Sequence, residues 1–202
     1  MSVARQVQTY FDRVAAGYHQ ASSNPIWGRV RLREQRALLH MVGDIKGTDV
    51  LELGCGAGFY TRLLLAEGAR HVVACDFSER MLAELPKDGV TPLHGDAAVV
   101  DPGRRFHYLV SAGMLEFVPD AGAVLKNAAR FAEPGASLVI LYPTRSLLGG
   151  LYQRFHRRNG MDIRLFDRAD LARMAEAAGW RITAMAGAGP YSAVARLERL
   201  PK

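Results

Sequence analysis

Apolar residues recur at helical spacing through the first forty residues of the chain. Between residues 3 and 18 they follow the i, i+3, i+4, i+7 pattern of an amphipathic helix. The positions concerned are Val7, Tyr10, Phe11, Val14 and Tyr18. Small and polar residues ending at Pro25 interrupt this pattern, and a second helix is predicted from Trp27 to Val42. We therefore expect residues 1–45 to form a helical cap.

From Val50 onward, short apolar runs alternate with helical segments. Each run has the length of a buried strand, and turn residues or helix caps separate it from the next segment. The predicted strands are Val50–Leu53, Val72–Asp76, a short one within Thr91–Asp96, Phe106–Ser111, Leu138–Tyr142, Trp180–Ala186 and Ser192–Leu197. The last two are expected to form a closing hairpin. This alternation predicts a doubly wound α/β fold with a mostly parallel, seven-stranded sheet and an antiparallel last strand.

Composition changes this picture little. A length of 202 residues suffices for one domain with its own core, so residues 1–202 are expected to form one domain. The net charge of +6 favours the approach of anions without saying which. Cys55 and Cys75 lack CxxC spacing and are expected to be reduced, buried thiols of a cytoplasmic protein. No apolar run reaches the roughly 18 residues of a membrane span, no signal-peptide core is present, and no metal site is expected from the histidine spacing.

Three glycines at alternate positions, Gly54, Gly56 and Gly58, join the first predicted strand to the following helix. Glycine allows a sharp turn there, and it lets a ligand approach where a Cβ would collide. The N-terminus of the helix presents unpaired N–H groups to such a ligand. Together these features predict a nucleotide-type site at the mouth of the sheet.

Acidic and small residues fall at the carboxyl ends of the predicted strands, where ligands bind in this architecture. Glu52 lies inside a strand, where a carboxylate is costly unless it meets a donor or a cation. Asp76 is placed to bridge the hydroxyls of a ribose. Asp96 could accept from an adenine amino group while the N–H of Ala97 donates to the ring. The fourth strand ends in small residues, beginning with Ser111, against which the ligand's other end could press. The alternatives are structural: an edge residue, helix caps and an ordinary turn.

The spacing of the glycines argues against two common nucleotide sites. Nicotinamide dehydrogenases have G-x-G-x-x-G, and the Gly-Lys-Ser/Thr of a P-loop is missing. Taken with Glu52, Asp76 and Asp96, the glycine turn resembles the motif set of the class I S-adenosylmethionine-dependent methyltransferases, which have a Rossmann-like fold. The resemblance covers about residues 51–120. Residues 10–18 and 115–120 resemble the small-molecule methyltransferases related to ubiquinone biosynthesis enzymes, in which His often stands where this chain has Phe117.

The resemblance implies S-adenosyl-L-methionine as the cofactor and S-adenosyl-L-homocysteine (SAH) as the product. The glycine turn would lie under the methionine part, with Glu52 nearby, while Asp76 takes the ribose hydroxyls. Phe77 would pack on the adenine, Asp96 and Ala97 would contact its edge, and Tyr18 would close over the sulfonium. The residues implied for cofactor binding are Tyr18, Glu52, Gly54, Cys55, Gly56, Gly58, Asp76, Phe77, Asp96, Ala97 and Ser111. One of Arg29, Arg31 or Arg33 would hold the cofactor carboxylate.

The expected reaction is in-line transfer of a methyl group to a small molecule, whose nucleophilic atom (O, N or C) stays open. No catalytic residue is identified; His19, Tyr142 and His156 are candidate bases by location only. The insert at residues 143–162 is expected to form a lid. Its basic, aromatic run has three interpretations, namely cover for an anionic acceptor, contact with a lipid surface, or a solvated helix face.

Two alternatives to this function remain. One is a non-catalytic, cofactor-binding partner subunit, and the other is an RNA methyltransferase. Nucleic acid is disfavoured as a substrate because the fourth strand ends in Ser-Ala-Gly-Met rather than the Asn/Asp-Pro-Pro-aromatic sequence of base-methylating enzymes. The sequence does not indicate an oligomeric state.

Overall fold

The computed structural model describes residues 25–201 of the chain. The helix predicted over residues 3–18, and with it Tyr18 and His19, lies outside the described residues. The helices are α1 (Pro25–Val42), α2 (Phe59–Ala66), α3 (Glu79–Leu82), α4 (Ala121–Arg130), α5 (Leu147–Arg158) and α6 (Arg168–Ala177). The strands are β1 (Asp49–Leu53), β2 (His71–Asp76), β3 (Val90–His94), β4 (Phe106–Ala112), β5 (Ala132–Pro143), β6 (Trp180–Gly187) and β7 (Ser192–Arg199).

The seven strands form one sheet in the order β3-β2-β1-β4-β5-β7-β6. Neighbouring strands from β3 to β5 run parallel, whereas β7 is antiparallel to both β5 and β6. The doubly wound α/β fold with an antiparallel last strand is therefore confirmed, and the predicted closing hairpin is β6–β7. Because the strand order reverses beside β1, the ends of β1 and β4 border the crevice in which such sheets bind ligands.

Strand β5 begins at Ala132, earlier than the predicted Leu138, because Glu133, Pro134 and Gly135 form a bulge within the strand. Ala132 pairs with Phe106, and the next pair joins Ser137 to Tyr108. The extra residues bend out of the ladder, and Gly135 takes a positive φ of 73° there. A helix stop and a bulge have the same glycine and proline signals, so the sequence alone did not separate them.

Helix α1 packs on the sheet against β5 and β7. Leu38 and Val42 are buried on its inner face. Hydrogen bonds fix both ends of this contact: Ser192 donates to the carboxylate of Glu34 at 2.7 Å, and Arg196 donates to the carbonyl oxygens at the end of α1. The described part of the expected cap is therefore continuous with the core of the sheet.

The insert after β5 contains helix α5, whose N-terminus is capped by Ser146. Gly149 has to be glycine, because a Cβ there would lie 1.9 Å from the carbonyl oxygen of Thr144. The helix buries His156 and exposes Leu147, Leu151 and Phe155. In the part of the chain from residue 25 to 201, no helix is long and apolar enough to cross a membrane.

Candidate functional site

The glycine turn between β1 and α2 has the backbone conformation that its sequence predicts. Gly54, Gly56 and Gly58 have φ angles of 74°, 52° and 81°, which favour glycine over residues with a Cβ. A Cβ on Gly54 would lie 2.2 Å from Cγ of Met114, in the segment after β4, whereas a Cβ on Gly56 would meet no atom within 4 Å. Gly54 is thus required by packing, and Gly56 faces open space.

Asp76 ends β2 with its carboxylate against this turn. One oxygen accepts a hydrogen bond from the N–H of Gly56 at 2.9 Å, and the other accepts from the N–H of Ser78 at 3.0 Å. Only 7% of the residue is exposed.

Glu52 is buried in β1 and meets the donor that its position requires. The hydroxyl of Thr61, in the first turn of α2, donates to Oε2 of Glu52 at 2.6 Å. Burial, with a further contribution from the charge of Asp76, raises the pKa of Glu52 to about 8. Glu52 therefore stabilises the turn from beneath, and its carboxyl is held largely protonated at neutral pH.

The loop after β3 carries the next pair of predicted residues. Asp96 is exposed and accepts from the N–H of Ala98, whereas Ala97 is buried. Asn127 of α4 donates to the carbonyl oxygens of Ala97 and Val100, at 3.1 and 2.8 Å. This buried amide holds the loop against α4 and so sets the position of Asp96.

Three further candidates lie around the same edge of the sheet. Phe77 follows Asp76 and is half-buried. Ser111 is buried in β4, and its hydroxyl has no hydrogen-bond partner. Of the arginines in α1, Arg29 and Arg33 are exposed, whereas Arg31 is half-buried and its guanidinium lies 4.6 Å from the ring centroid of Phe59. The structure therefore favours Arg31 among the three.

A cavity of about 160 Å³ opens beside the end of β4. Helices α1 and α5, the segment after β4 and the loop before β7 form its walls. Its lining residues include Arg31, Glu34, Tyr60, Ala112, Gly113, Glu116, Phe117, Tyr142, Tyr152, His156, Tyr191 and Ser192. Ala112, the last residue of β4, and Gly113, which follows it, both line this cavity, and the next residue, Met114, packs on Gly54 of the glycine turn.

Two of the candidate bases, Tyr142 and His156, line this cavity. His156 is 8% exposed, its Nδ1 has no hydrogen-bond partner, and burial lowers its pKa to about 4. Its ring lies edge-on to Tyr152 and Phe117, with centroid distances of 4.5 and 5.6 Å. Burial also raises the pKa of Tyr142 to about 12. His156 is thus neutral at neutral pH, and the phenol of Tyr142 is protonated.

A sequence profile described as a methyltransferase domain matches residues 26–185. The chain belongs to this methyltransferase family. The resemblance drawn from the glycine turn and its acids is confirmed, and S-adenosylmethionine is the cofactor of the methyltransferase.

The relatives of this methyltransferase act on different kinds of substrate. Over 161 residues, 75% of this chain and 68% of the relative, it is 26% identical to demethylmenaquinone methyltransferase of Listeria monocytogenes serotype 4a. Over 66 residues it is 46% identical to ribosomal RNA small subunit methyltransferase A of Paracoccus denitrificans, a match that spans 30% of this chain and 23% of that enzyme. The family is therefore shown, and the acceptor is not.

Among solved structures, magnesium protoporphyrin IX methyltransferase of Synechocystis PCC 6803 with bound SAH is similar in fold. The TM-score is 0.77 at 19% identity, with 98% of this chain and 100% of that chain covered. At this identity the likeness shows the fold shared by the two proteins.

Two observations indicate that the residues of the methyltransferase fit the cofactor. The open space at Gly56 leaves room for a ligand where any other residue would place a side chain. The buried Asp76 carboxylate lies directly beside it. Cys55 and Cys75 are free and buried, and burial raises the pKa of Cys75 to about 12, so both are inert thiols that support the turn.

Several residues of the cavity were not identified from the sequence. Glu116 is an acid between two apolar residues, Leu115 and Phe117, which is the same sequence signal that identifies Glu52. From the sequence, Glu116 was considered only as part of the segment after β4. Tyr191 and Glu34 had no such signal, because only the folded chain brings α1 beside the loop before β7. The insert contributes Tyr152 and His156 to the cavity, and its exposed arginines at positions 154, 157 and 158 do not line it.

Proposed function

We propose that the protein transfers the methyl group of S-adenosylmethionine to a small molecule bound in the cavity beside β4. The observation that carries this proposal is the adjacency of two sites. The Gly56–Asp76 pair marks the cofactor side, and the cavity wall includes Gly113, whose neighbour in the chain, Met114, packs on Gly54 of the same glycine turn. Methyl transfer requires this arrangement, because acceptor and methyl donor have to meet in line.

On this proposal the residues around the strand ends hold the cofactor. Asp76 binds the ribose hydroxyls, Phe77 packs on the adenine, and Asp96 with the N–H of Ala97 contacts the adenine edge. The glycine turn supports the methionine part, and Arg31 pairs with its carboxylate. The roles of Glu52 and Ser111 are indirect, since both are buried beneath the surface that these residues form.

The cofactor supplies an activated methyl group, so the protein has little bond chemistry to perform. The walls of the cavity orient the acceptor and exclude water from it. Glu116 lines the cavity and carries an unpartnered oxygen, so it is better placed to hold a proton than His156, whose lowered pKa keeps it neutral. Tyr142 is already protonated and contributes a hydroxyl donor.

A small acceptor is supported by the shape of the site. The cavity is small and is lined by residues from several separate helices, strands and loops, which suits one compact molecule. The basic groups of the insert lie outside it, on the exposed side of α5, so they do not support an anionic molecule inside the cavity. The proposal also includes contact between the outer face of α5 and a lipid surface, because leucines of α5 are exposed there.

The division of residues 1–202 into a helical cap, a core and a lid at residues 143–162 also belongs to this proposal. It is supported by the position of α1 and α5 on either side of the cavity. A cytoplasmic location is supported by the two free, buried thiols.

The test combines binding with transfer of label. SAH and S-adenosylmethionine are titrated into the protein by calorimetry, and methyl-labelled cofactor is then incubated with a small-molecule ultrafiltrate or with total RNA. We expect saturable cofactor binding and label in the small-molecule fraction. Binding with no label in either fraction would favour the non-catalytic alternative, label in RNA would favour the RNA enzyme, and failure to bind SAH would refute the proposal.

A further inference from the structure

Glu116 is the buried charged group of the cavity that lacks a complete set of partners. It is 3% exposed, and its Oε2 accepts no hydrogen bond from any of the residues 25–201 that the structure describes. Its Oε1 lies 3.8 Å from the position that a Cβ on Gly113 would occupy, so the carboxyl is directed to the β4 end of the cavity. A buried carboxyl ionises with difficulty unless a donor or a cation lies beside it. The position therefore favours a ligand that brings a hydrogen-bond donor or a positive charge.

Aromatic rings surround the same space. Tyr60, Phe117, Tyr142, Tyr152 and Tyr191 all line the cavity. Tyr152 and Tyr191 stack with their ring centroids 4.5 Å apart and an angle of 13° between their planes. Faces of aromatic rings attract cations, and cages of such rings bind ammonium groups in many proteins.

The other charges of the cavity do not reverse this preference. Burial raises the pKa of Glu34. The hydrogen bond that Ser192 donates to its carboxylate at 2.7 Å and the charge of Arg31, one helical turn away, act in the opposite direction. His156 is uncharged at neutral pH. Among the described lining residues there are two carboxyl groups and one guanidinium. Burial favours the neutral form of both carboxyls, so a ligand that brings a positive charge is the kind that would stabilise a carboxylate there.

From this geometry we infer that the acceptor is an amine, which binds as an ammonium paired with the carboxylate of Glu116 inside the aromatic walls. The ammonium then gives one proton to that carboxylate, and the freed nitrogen lone pair forms the new bond to the methyl carbon as the bond from that carbon to sulfur breaks and SAH leaves. This inference rests on the proposed function. It differs from the anionic acceptor considered from the sequence, because the arginines of the insert lie on the outer face of α5 and the carboxyls lie inside.

Three probes that share one body test the preference for charge. Tyramine, tyrosol and 3-(4-hydroxyphenyl)propionate have the same hydroxyphenyl-ethyl framework and end in an ammonium, a hydroxyl and a carboxylate. Each is titrated by calorimetry into protein saturated with SAH at pH 7.5. We expect tyramine to bind at least about tenfold more tightly than tyrosol, a factor that corresponds to about 1.4 kcal/mol, and the carboxylate to bind most weakly.

Variants assign the preference to one residue. Glu116→Gln keeps the shape of the side chain and removes its charge, so the ratio of tyramine to tyrosol affinity is expected to fall to about one. Glu116→Asp retains a charge and is expected to keep part of the ratio. Glu133→Gln is the matched control. Glu133 lies in the bulge at the start of β5, at the other end of the strand from the cavity, and this variant is expected to keep the full ratio of tyramine to tyrosol affinity.

Proton release gives a readout that a purely structural role of Glu116 would not change. Burial raises the pKa of Glu116 to about 8, so pairing with an ammonium at pH 7 displaces its proton. The binding enthalpy of tyramine should then depend on the ionisation enthalpy of the buffer in the wild type, and not in Glu116→Gln. The titratable and charged groups that line the cavity with this carboxyl are Arg31, Glu34, Tyr60, Tyr142, Tyr152, His156 and Tyr191, and all of them are unchanged in that variant.

The outcomes separate the two proposals. A protein that does not bind SAH refutes the proposed function. A protein that binds SAH but binds tyrosol or the carboxylate as tightly as tyramine overturns the amine inference and leaves the proposed function intact. The same holds for a tyramine preference that persists in Glu116→Gln, because the charge would then be recognised elsewhere.

Discussion

The carboxylate of Asp76 accepts a 2.9 Å hydrogen bond from the backbone N–H of Gly56, twenty residues earlier in the chain. The bond joins the end of β2 to the turn after β1 and fixes the carboxylate beside the open space at Gly56. On the proposed placement of the cofactor, Asp76→Ala removes a charged acceptor for two ribose hydroxyls, so affinity for SAH is expected to fall by roughly 1.5–3 kcal/mol. Calorimetric titration with SAH measures this change.

The control for this variant is Asp101→Ala. The Asp101 carboxylate also accepts from a backbone N–H, that of Gly103, but it belongs to the loop before β4, away from the glycine turn. Its removal is expected to leave the affinity for SAH unchanged. Equal affinities in Asp76→Ala and the wild type would show that Asp76 is only a structural brace.

Gly54 and Gly56 are expected to respond differently to alanine. Both have positive φ angles, so each substitution carries a strain of about 1–2 kcal/mol. At Gly54 the new methyl would also overlap Met114, whereas at Gly56 it would enter open space. Gly54→Ala should therefore lower the unfolding midpoint much more than Gly56→Ala, and Gly56→Ala should lose SAH affinity while it remains folded. Thermal denaturation and calorimetry on both variants test this, and tight SAH binding by Gly56→Ala would contradict the placement of the cofactor.

The cofactor side of the site could be predicted because it depends on local sequence and one rule of topology. Short apolar runs identify the parallel strands, and residues that follow such strands meet at one edge of the sheet. Glu52, Asp76 and Asp96 were found in this way, and the structure places all three at that edge. Their individual contacts, such as the hydroxyl of Thr61 on Glu52, follow from packing that the pattern does not contain.

The acceptor side could not be predicted, because it depends on contacts between distant parts of the chain. Glu34 and Ser192 are 158 residues apart and meet only because β7 inserts between β5 and β6. The orientation of α5 could not be predicted either, because the sequence does not indicate whether its arginines or its aromatic residues face inward. Only the folded chain directs Tyr152 and His156 inward and the arginines outward.

Asn127 links α4 to the loop that carries Asp96 and Ala97. Its amide is buried and donates to two carbonyl oxygens of that loop. Asn127→Ala leaves both acceptors unpaired, so the free energy of unfolding is expected to fall by about 1–3 kcal/mol, with a smaller loss of SAH affinity as Asp96 becomes less well positioned. Urea denaturation and calorimetry measure the two effects. Lys126→Ala, at the neighbouring position of α4, is the control, and a loss of the same size there would show that the effect belongs to the helix rather than to the loop contact.

His156 is expected to make the protein less stable in acid. Burial lowers its pKa to about 4 from the ordinary value of 6.5. Between these pH values the imidazole is therefore protonated in the unfolded chain and neutral in the folded protein. The contribution of the neutral ring is fully present above pH 6.5 and is lost as the pH falls toward 4. His156→Phe keeps an aromatic ring beside Phe117 and Tyr152 and cannot titrate. Its free energy of unfolding relative to the wild type should therefore rise by about 2–3 kcal/mol between pH 7 and pH 4. Urea denaturation across this range measures the difference, in which the titration of the carboxyl groups largely cancels, and a difference that stays constant with pH would show that His156 is protonated equally in both states.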